Sequence, residues 1–256
     1  MSKPSLVLVH GSWHSPEHFA PLTKDLKGHG YHVVTVDLPS MRGSDLPPAS
    51  LADDTAAVRK AVTAELDAGH NVVVVAHSYG GTPSNNALEG LDEKSRKANG
   101  ASTAVLAIAF LCAIPTPAGK TFLDNVRVPR NGANCPQIAD MSKNPDFAYV
   151  GEPGAHHFFY HDLPEAETKQ WVDMLRPQAF LSYTGVTSHA AYHDIPCQYL
   201  LCSKDQALPY EWQKGHVEAA VAEGARIKTK TLESAHSPWL SKLKETSEFI
   251  REVAGG

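Results

Sequence analysis

Val72-Val-Val-Val-Ala-His-Ser78-Tyr-Gly-Gly81 runs four consecutive valines into a serine flanked by small residues. A Val-rich run of this length suits a strand buried on both faces of a parallel sheet. The small-x-Ser-x-Gly sequence that follows predicts a nucleophile elbow, a strained strand-to-helix turn that lifts the serine hydroxyl above the sheet. Ala76 stands where glycine is usual and is the smallest step from it, while Gly80 and Gly81 keep the other side free of bulk. A purely structural tight turn would share the motif. The strand before it and the helical stretch after it favour chemistry at Ser78.

Outward from this stretch, short apolar runs alternate with amphipathic ones. Residues 6–9, 32–36, 71–76, 104–110, 198–202 and 226–232 read as strands, being too short for core helices and several of them Val-rich. Residues 16–28, 51–68, 82–89, 211–223 and 238–253 read as helices. In the second of these, Ala56, Val58, Ala61, Val62 and Leu66 form an apolar stripe at helical spacing. Strand and helix alternating in this way imply a doubly wound, mostly parallel α/β sheet with right-handed crossovers.

Residues 114–195 break the rhythm. They hold no Val-rich strand, many prolines and glycines and half of the aromatics. A segment so long is too large for a loop, so it reads as a helical lid (cap) insertion over the sheet's C-terminal edge. The expected organisation is a core of residues 1–113 and 196–256 with residues 114–195 as the lid. Within it, Pro164 and the acids behind it mark a helix start, and His156-His-Phe-Phe-Tyr160 reads equally as lid wall or packing.

A serine hydroxyl is a poor nucleophile at neutral pH unless a base stands within hydrogen-bond reach. Of fourteen histidines, His236 has the right place: it follows the last expected strand, before a helix opened by Pro238. The acid that orients it should follow the preceding strand, giving the chain order Ser, Asp, His. Asp205 in Cys202-Ser-Lys-Asp-Gln-Ala-Leu-Pro209 meets this, whereas Asp194 lies towards the strand's beginning and faces the wrong edge. Asp124, in the lid, is the other acid worth testing. A developing oxyanion needs donors already in place. The N–H of Tyr79 is one, and the N–H of Ser12, in the His10-Gly11-Ser12-Trp13 turn after the first strand, is the other. Trp13, Phe122 and Trp171 are aromatic candidates for a substrate pocket, although aromatics also simply fill cores.

Composition narrows the field. A net charge of −5, with Lys and Arg scattered, argues against nucleic acid or an anionic membrane as partner. No run approaches the roughly 20 apolar residues of a membrane span. The apolar run at residues 6–9 is too short for a secretory signal, so a cytoplasmic protein is expected. The four cysteines have no CxxC spacing and read as reduced thiols. His10 with His14, and His189 with His193, are four apart, but neither pair carries the Glu of an HExxH site. No P-loop or GxGxxG is present, so no cofactor and no metal are expected. A homodimer stays open.

The pieces VLVHGSWHSPEHF, DLPSMRGS, VVVVAHSYGG, CSKDQALP and ESAHSP together resemble the α/β-hydrolase superfamily along nearly the whole chain. More narrowly they resemble its branch of plant methyl esterases and hydroxynitrile lyases, with related microbial esterases and lactonases. The resemblance implies Ser78 as nucleophile, Asp205 as acid, His236 as base and Ser12 with Tyr79 as the oxyanion hole. Hydroxynitrile lyases of this branch carry a lysine just after the catalytic histidine, where this chain has Ser237. Some lactonases of the family take their acid from just after the strand before the lid, where Leu111-Cys-Ala-Ile-Pro115 offers no carboxylate. The expected activity is hydrolysis of a carboxylic ester or lactone of a small hydrophobic substrate through an acyl-enzyme. Two alternatives stay open: lactonisation, cyclisation or carbon–carbon cleavage at the same site, and a catalytically weak fold that binds a small ligand.

Overall fold

The computed structural model describes residues 3–255. Six strands, β1 (Ser5–Val9), β2 (Val33–Val36), β3 (Val72–His77), β4 (Val105–Leu111), β8 (Cys197–Cys202) and β9 (Ile227–Leu232), form one sheet in the order β2-β1-β3-β4-β8-β9. All its pairings are parallel. Each lies within two residues of its expected run. Alternate side chains of the central strands enter two separate cores: Val7, Val9, Val72, Val74 and Ala76 in one, Leu6, Leu8, Val73 and Val75 in the other. That is why these strands read as unbroken apolar runs. Each face needs its own cover.

Helices α1 (Ala20–Gly28) and α10 (Leu243–Val253) cover one face with Leu22, Leu26, Phe249 and Ile250. The other is covered by α2 (Leu51–Asp67), α3 (Gly81–Ala87) and α8 (Tyr210–Ala222), which bring Val58, Val62, Leu66, Ala87 and Trp212. A short polar helix, α4 (Glu93–Ala98), precedes β4. The expected helix at 238–253 is two pieces, α9 (Pro238–Ser241) and α10, because Lys242 leaves the helical region at φ −130°.

Between β4 and β8, where a helical lid is expected, the chain is a mixture of helices and short strands. It carries α5 (Phe122–Val126), α6 (Glu165–Asp173) and α7 (Leu181–Thr184). It also folds β5 (Ala139–Asp140), β6 (Phe147–Val150) and β7 (Gln178–Ala179) into a small antiparallel sheet. These strands are two to four residues long, too short to show alternation in sequence. A π-helical turn, His156–Tyr160, precedes α6. Among the described residues no helix is long and apolar enough to cross a membrane.

Candidate active site

Parallel register brings the C-terminal ends of the strands to one rim. Val9 pairs with Ala76, His77 with Leu111, Leu111 with Leu200 and Cys202 with Leu232. The turn after β1 therefore holds Ser12, that after β3 Ser78, that after β8 Asp205 and that after β9 His236. Four residues far apart in sequence meet because they follow four aligned strands.

Ser78 sits at φ +50°, in the left-handed region. For an L-residue this costs roughly 1–2 kcal/mol and persists only where the surroundings hold it. The squeeze that holds it is visible at two glycines. A Cβ on Gly80 would stand 2.6 Å from the His10 carbonyl oxygen, and one on Gly11 would stand 2.6 Å from Ser78 Cβ. Glycine is required at both for the β1 turn to lie against the elbow.

The Asp205 and His236 side chains are buried and joined through Oδ2 and Nδ1 at 2.7 Å. Asp205 Oδ1 accepts the main-chain N–H groups of Ala207 and Leu208, both at 2.8 Å. The carbonyl of His236 accepts His77 Nε2–H at 2.9 Å and Cys112 Sγ at 3.2 Å. On the other side, Asp162 of the insertion accepts the N–H of Ala235 at 2.8 Å and so fixes the approach to the ring. Among the described residues no hydrogen bond joins His236 to Ser78; such contacts commonly tighten only around bound substrate.

Both expected oxyanion donors lie at this rim, and among the described residues neither amide N–H has an acceptor. His10 donates from Nδ1 to the Gly11 carbonyl at 3.0 Å, and burial holds its imidazole down to about 4, hence neutral near pH 7. In a trans peptide the N–H of Ser12 points opposite that carbonyl. The hydroxyl of Tyr79 donates to Asp54 at 2.8 Å, and Asp54 also accepts the Ser40 amide and hydroxyl. Burial pushes the Asp54 carboxyl up to about 6.

Ser78 and His236 open onto one cavity of about 410 Å³, whose wall includes Ser12, Trp13, Phe122 and Phe159. Of the three aromatics singled out in the sequence, Trp13 and Phe122 are at this cavity. Trp171 is not: it lines a separate surface groove of about 610 Å³ beside Pro21 and Leu240. Its ring stands 6.2 Å from that of His18, because this face of α6 packs towards the start of α1. Phe159 and Tyr183 line the cavity without having been singled out as pocket residues. The His156–Tyr160 stretch had signalled the first, and nothing local signals the second.

The remaining candidates have other tasks. Asp124 closes a capping box with Thr121 at the start of α5. Asp194 stands 3.0 Å from His189. Among the described residues, the grouping dense enough to hold a metal ion is His77, Cys112 and His236, whose ligand atoms lie within 4.8 Å of one another. His77 Nε2 and Cys112 Sγ both point to the His236 carbonyl and His236 Nδ1 is bonded to Asp205, while His77 Nδ1 is without a hydrogen-bond partner among the described residues. All four cysteines are free, and burial pushes the Cys112 thiol well up, which keeps it protonated.

An open parallel sheet with serine, histidine and aspartate loops at one rim defines a class of fold, and comparison with known proteins identifies it. Residues 6–249 match the Alpha/beta hydrolase family, and the chain belongs to it. It is 27% identical over 256 residues to the alpha/beta hydrolase nvfD of Aspergillus novofumigatus, covering 100% of this chain and 98% of the relative. It is 25% identical over 277 residues to methylesterase 1 of Arabidopsis thaliana, covering 98% and 96%. Among solved structures, a pyrethroid hydrolase from Sphingobium faniae superposes with a TM-score of 0.78 at 17% identity, covering 100% and 98%, and shares the fold. The chain resembles the plant methyl esterases within the family, and these relatives support a hydrolase.

Proposed function

We propose that this protein hydrolyses a carboxylic ester or lactone of a small hydrophobic compound through an acyl-enzyme on Ser78. The observation that carries the reading is the convergence of a strained serine and an Asp205-oriented imidazole on one chamber. His236 takes the Ser78 proton through Nε2 as the hydroxyl attacks the carbonyl carbon. The tetrahedral oxyanion rests on the N–H groups of Ser12 and Tyr79. His236 returns the proton to the departing alcohol, and water repeats the sequence to free the acid. Asp205 holds the Nδ1–H tautomer and stabilises the imidazolium.

Residues 114–195 act in this reading as the cap of the chamber, supplying Phe122, Phe159 and Tyr183 to its wall. The apolar part of this wall, which also carries Arg127, Asn134 and Gln137, favours an aliphatic or aromatic acyl group. The test is turnover of p-nitrophenyl acetate together with covalent labelling by a fluorophosphonate probe. Ser78→Ala should lose both, and mass spectrometry of products should show the addition of water. Turnover by the variant at the unmodified rate would overturn the reading.

A further inference from the structure

The turn that carries the Ser12 amide is not held by the core alone. Trp13 sits at φ +61°, a left-handed conformation that a bulky residue keeps only under constraint. Much of that constraint comes from the insertion. Trp13 Nε1–H donates to the Ala148 carbonyl at 2.9 Å, and the Arg176 amide donates to the Trp13 carbonyl at 2.8 Å. His14 Nδ1 lies 2.7 Å from the Ser12 carbonyl, and His14 Nε2 lies 3.0 Å from the Tyr160 hydroxyl. A carbonyl only accepts, so the His14 proton is on Nδ1, and Nε2 accepts the Tyr160 O–H. Both side chains are buried.

Two consecutive peptide planes are thereby clamped by two imidazoles. His10 holds the plane that contains the Ser12 N–H, through the Gly11 carbonyl, and His14 holds the next plane through the Ser12 carbonyl. Ser12 is fixed from both sides. The π-helical turn at His156–Tyr160 makes the second clamp possible, because it sends two adjacent side chains to the same place. Phe159 packs 5.7 Å from both the Trp13 and His236 rings, while Tyr160 reaches His14. Turns of this type recur at functional sites.

We propose that His14 and Tyr160 are positioning residues for the oxyanion site: the Tyr160 hydroxyl fixes the His14 tautomer, and the Nδ1–H of His14 anchors the Ser12 peptide so that its neighbouring N–H stays aimed into the chamber. The inference rests on the acyl-serine reading above. It makes the insertion a built part of the oxyanion site, not only a cover over it.

The experiment compares Ser78→Ala, His14→Ala, His14→Asn, His14→Gln and Tyr160→Phe with the unmodified protein, recording kcat and KM on p-nitrophenyl acetate. Loss of a whole oxyanion donor lowers kcat by about a hundred- to a thousandfold, so its misplacement should lower kcat by roughly ten- to a hundredfold in His14→Ala, with KM moving less than about twofold. His14→Asn, whose amide N–H falls near the place of Nδ1–H, should recover most of this, and His14→Gln should not. Tyr160→Phe should lower kcat by about three- to tenfold. Unaltered kcat in His14→Ala, a change in KM in place of kcat, or no recovery in His14→Asn would overturn the proposal. Should His14→Ala not fold, Tyr160→Phe and His14→Asn decide it. Activity retained in Ser78→Ala would instead bring down the acyl-serine reading itself.

Discussion

Asp205 divides its two carboxylate oxygens between different tasks: Oδ2 takes the Nδ1–H of His236 at 2.7 Å and a longer bond from Gln213 Nε2 at 3.3 Å, and Oδ1 takes two main-chain amides of the next turn. Asp205→Asn therefore separates geometry from chemistry. The amide oxygen can keep the bonds to Ala207 and Leu208, while its NH₂ faces Nδ1 and drives the imidazole proton to Nε2. The ring can then no longer accept the Ser78 proton. We expect kcat to fall about ten-thousandfold with little change in melting temperature, checked by steady-state kinetics beside calorimetry.

The close approach at Gly80 makes a second case. Gly80→Ala forces a methyl group to within 2.6 Å of the His10 carbonyl and 2.7 Å of the Val9 carbonyl, both rigid backbone. Overpacking of this kind destabilises by about 1–3 kcal/mol, and a rigid site belongs at the upper end. For a domain of this size the melting temperature should drop by roughly 6–12 °C. An unchanged melting curve would show that β1 and the elbow can separate freely.

Asp54 predicts a pH dependence of stability. In the unfolded chain its carboxyl titrates near 3.8, and in the folded protein burial holds it up to about 6. Between these values the folded state binds the extra proton, so this group's contribution is complete at acid pH and is lost as pH rises through about 6. The loss amounts to about 3 kcal/mol. Urea unfolding between about pH 4 and 7 should show the decline in the unmodified protein and a flatter profile in Asp54→Asn.

Trp171 tests the boundary of the chamber. Because it lines a different groove, Trp171→Ala should leave kcat and KM on p-nitrophenyl esters within about twofold while lowering stability by about 1 kcal/mol. A large rise in KM would place this side chain in the substrate's path.

How much of this was legible follows from what each feature depends on. The inner strands were readable because burial on both faces writes itself as apolar runs, clearest in Val72–Val75, whereas the edge strand β9, exposed over its middle four residues, carries that signal only weakly. Ser78, Asp205 and His236 were readable as a set because each follows a strand, and parallel pairing puts all strand ends at one rim. Helix α4 was not read, since Glu93–Ala98 buries nothing and has no apolar stripe; its one local sign is Asp92, whose side chain accepts the Ser95 N–H at 3.0 Å. The antiparallel sheet β5–β7 is too short for periodicity to register. Tyr160 and His14 meet across 146 positions, and Tyr183 and Ser12 across 171. No local pattern encodes such pairs, because the insertion's path decides them. Trp171 was misplaced for the same reason: being aromatic does not say which side of α6 faces the chamber.

Strand β9 lies at the outer edge of the sheet and pairs along only one side, yet the loop behind it carries the imidazole. During synthesis Ser78 and the Ser12 turn leave the ribosome well before His236, which follows β9. The loops of Asp205 and His236 are brought together by the docking of this outermost strand onto β8. In the proposed reading, fraying at that edge would withdraw the imidazole while Ser78 stays held against the β1 turn.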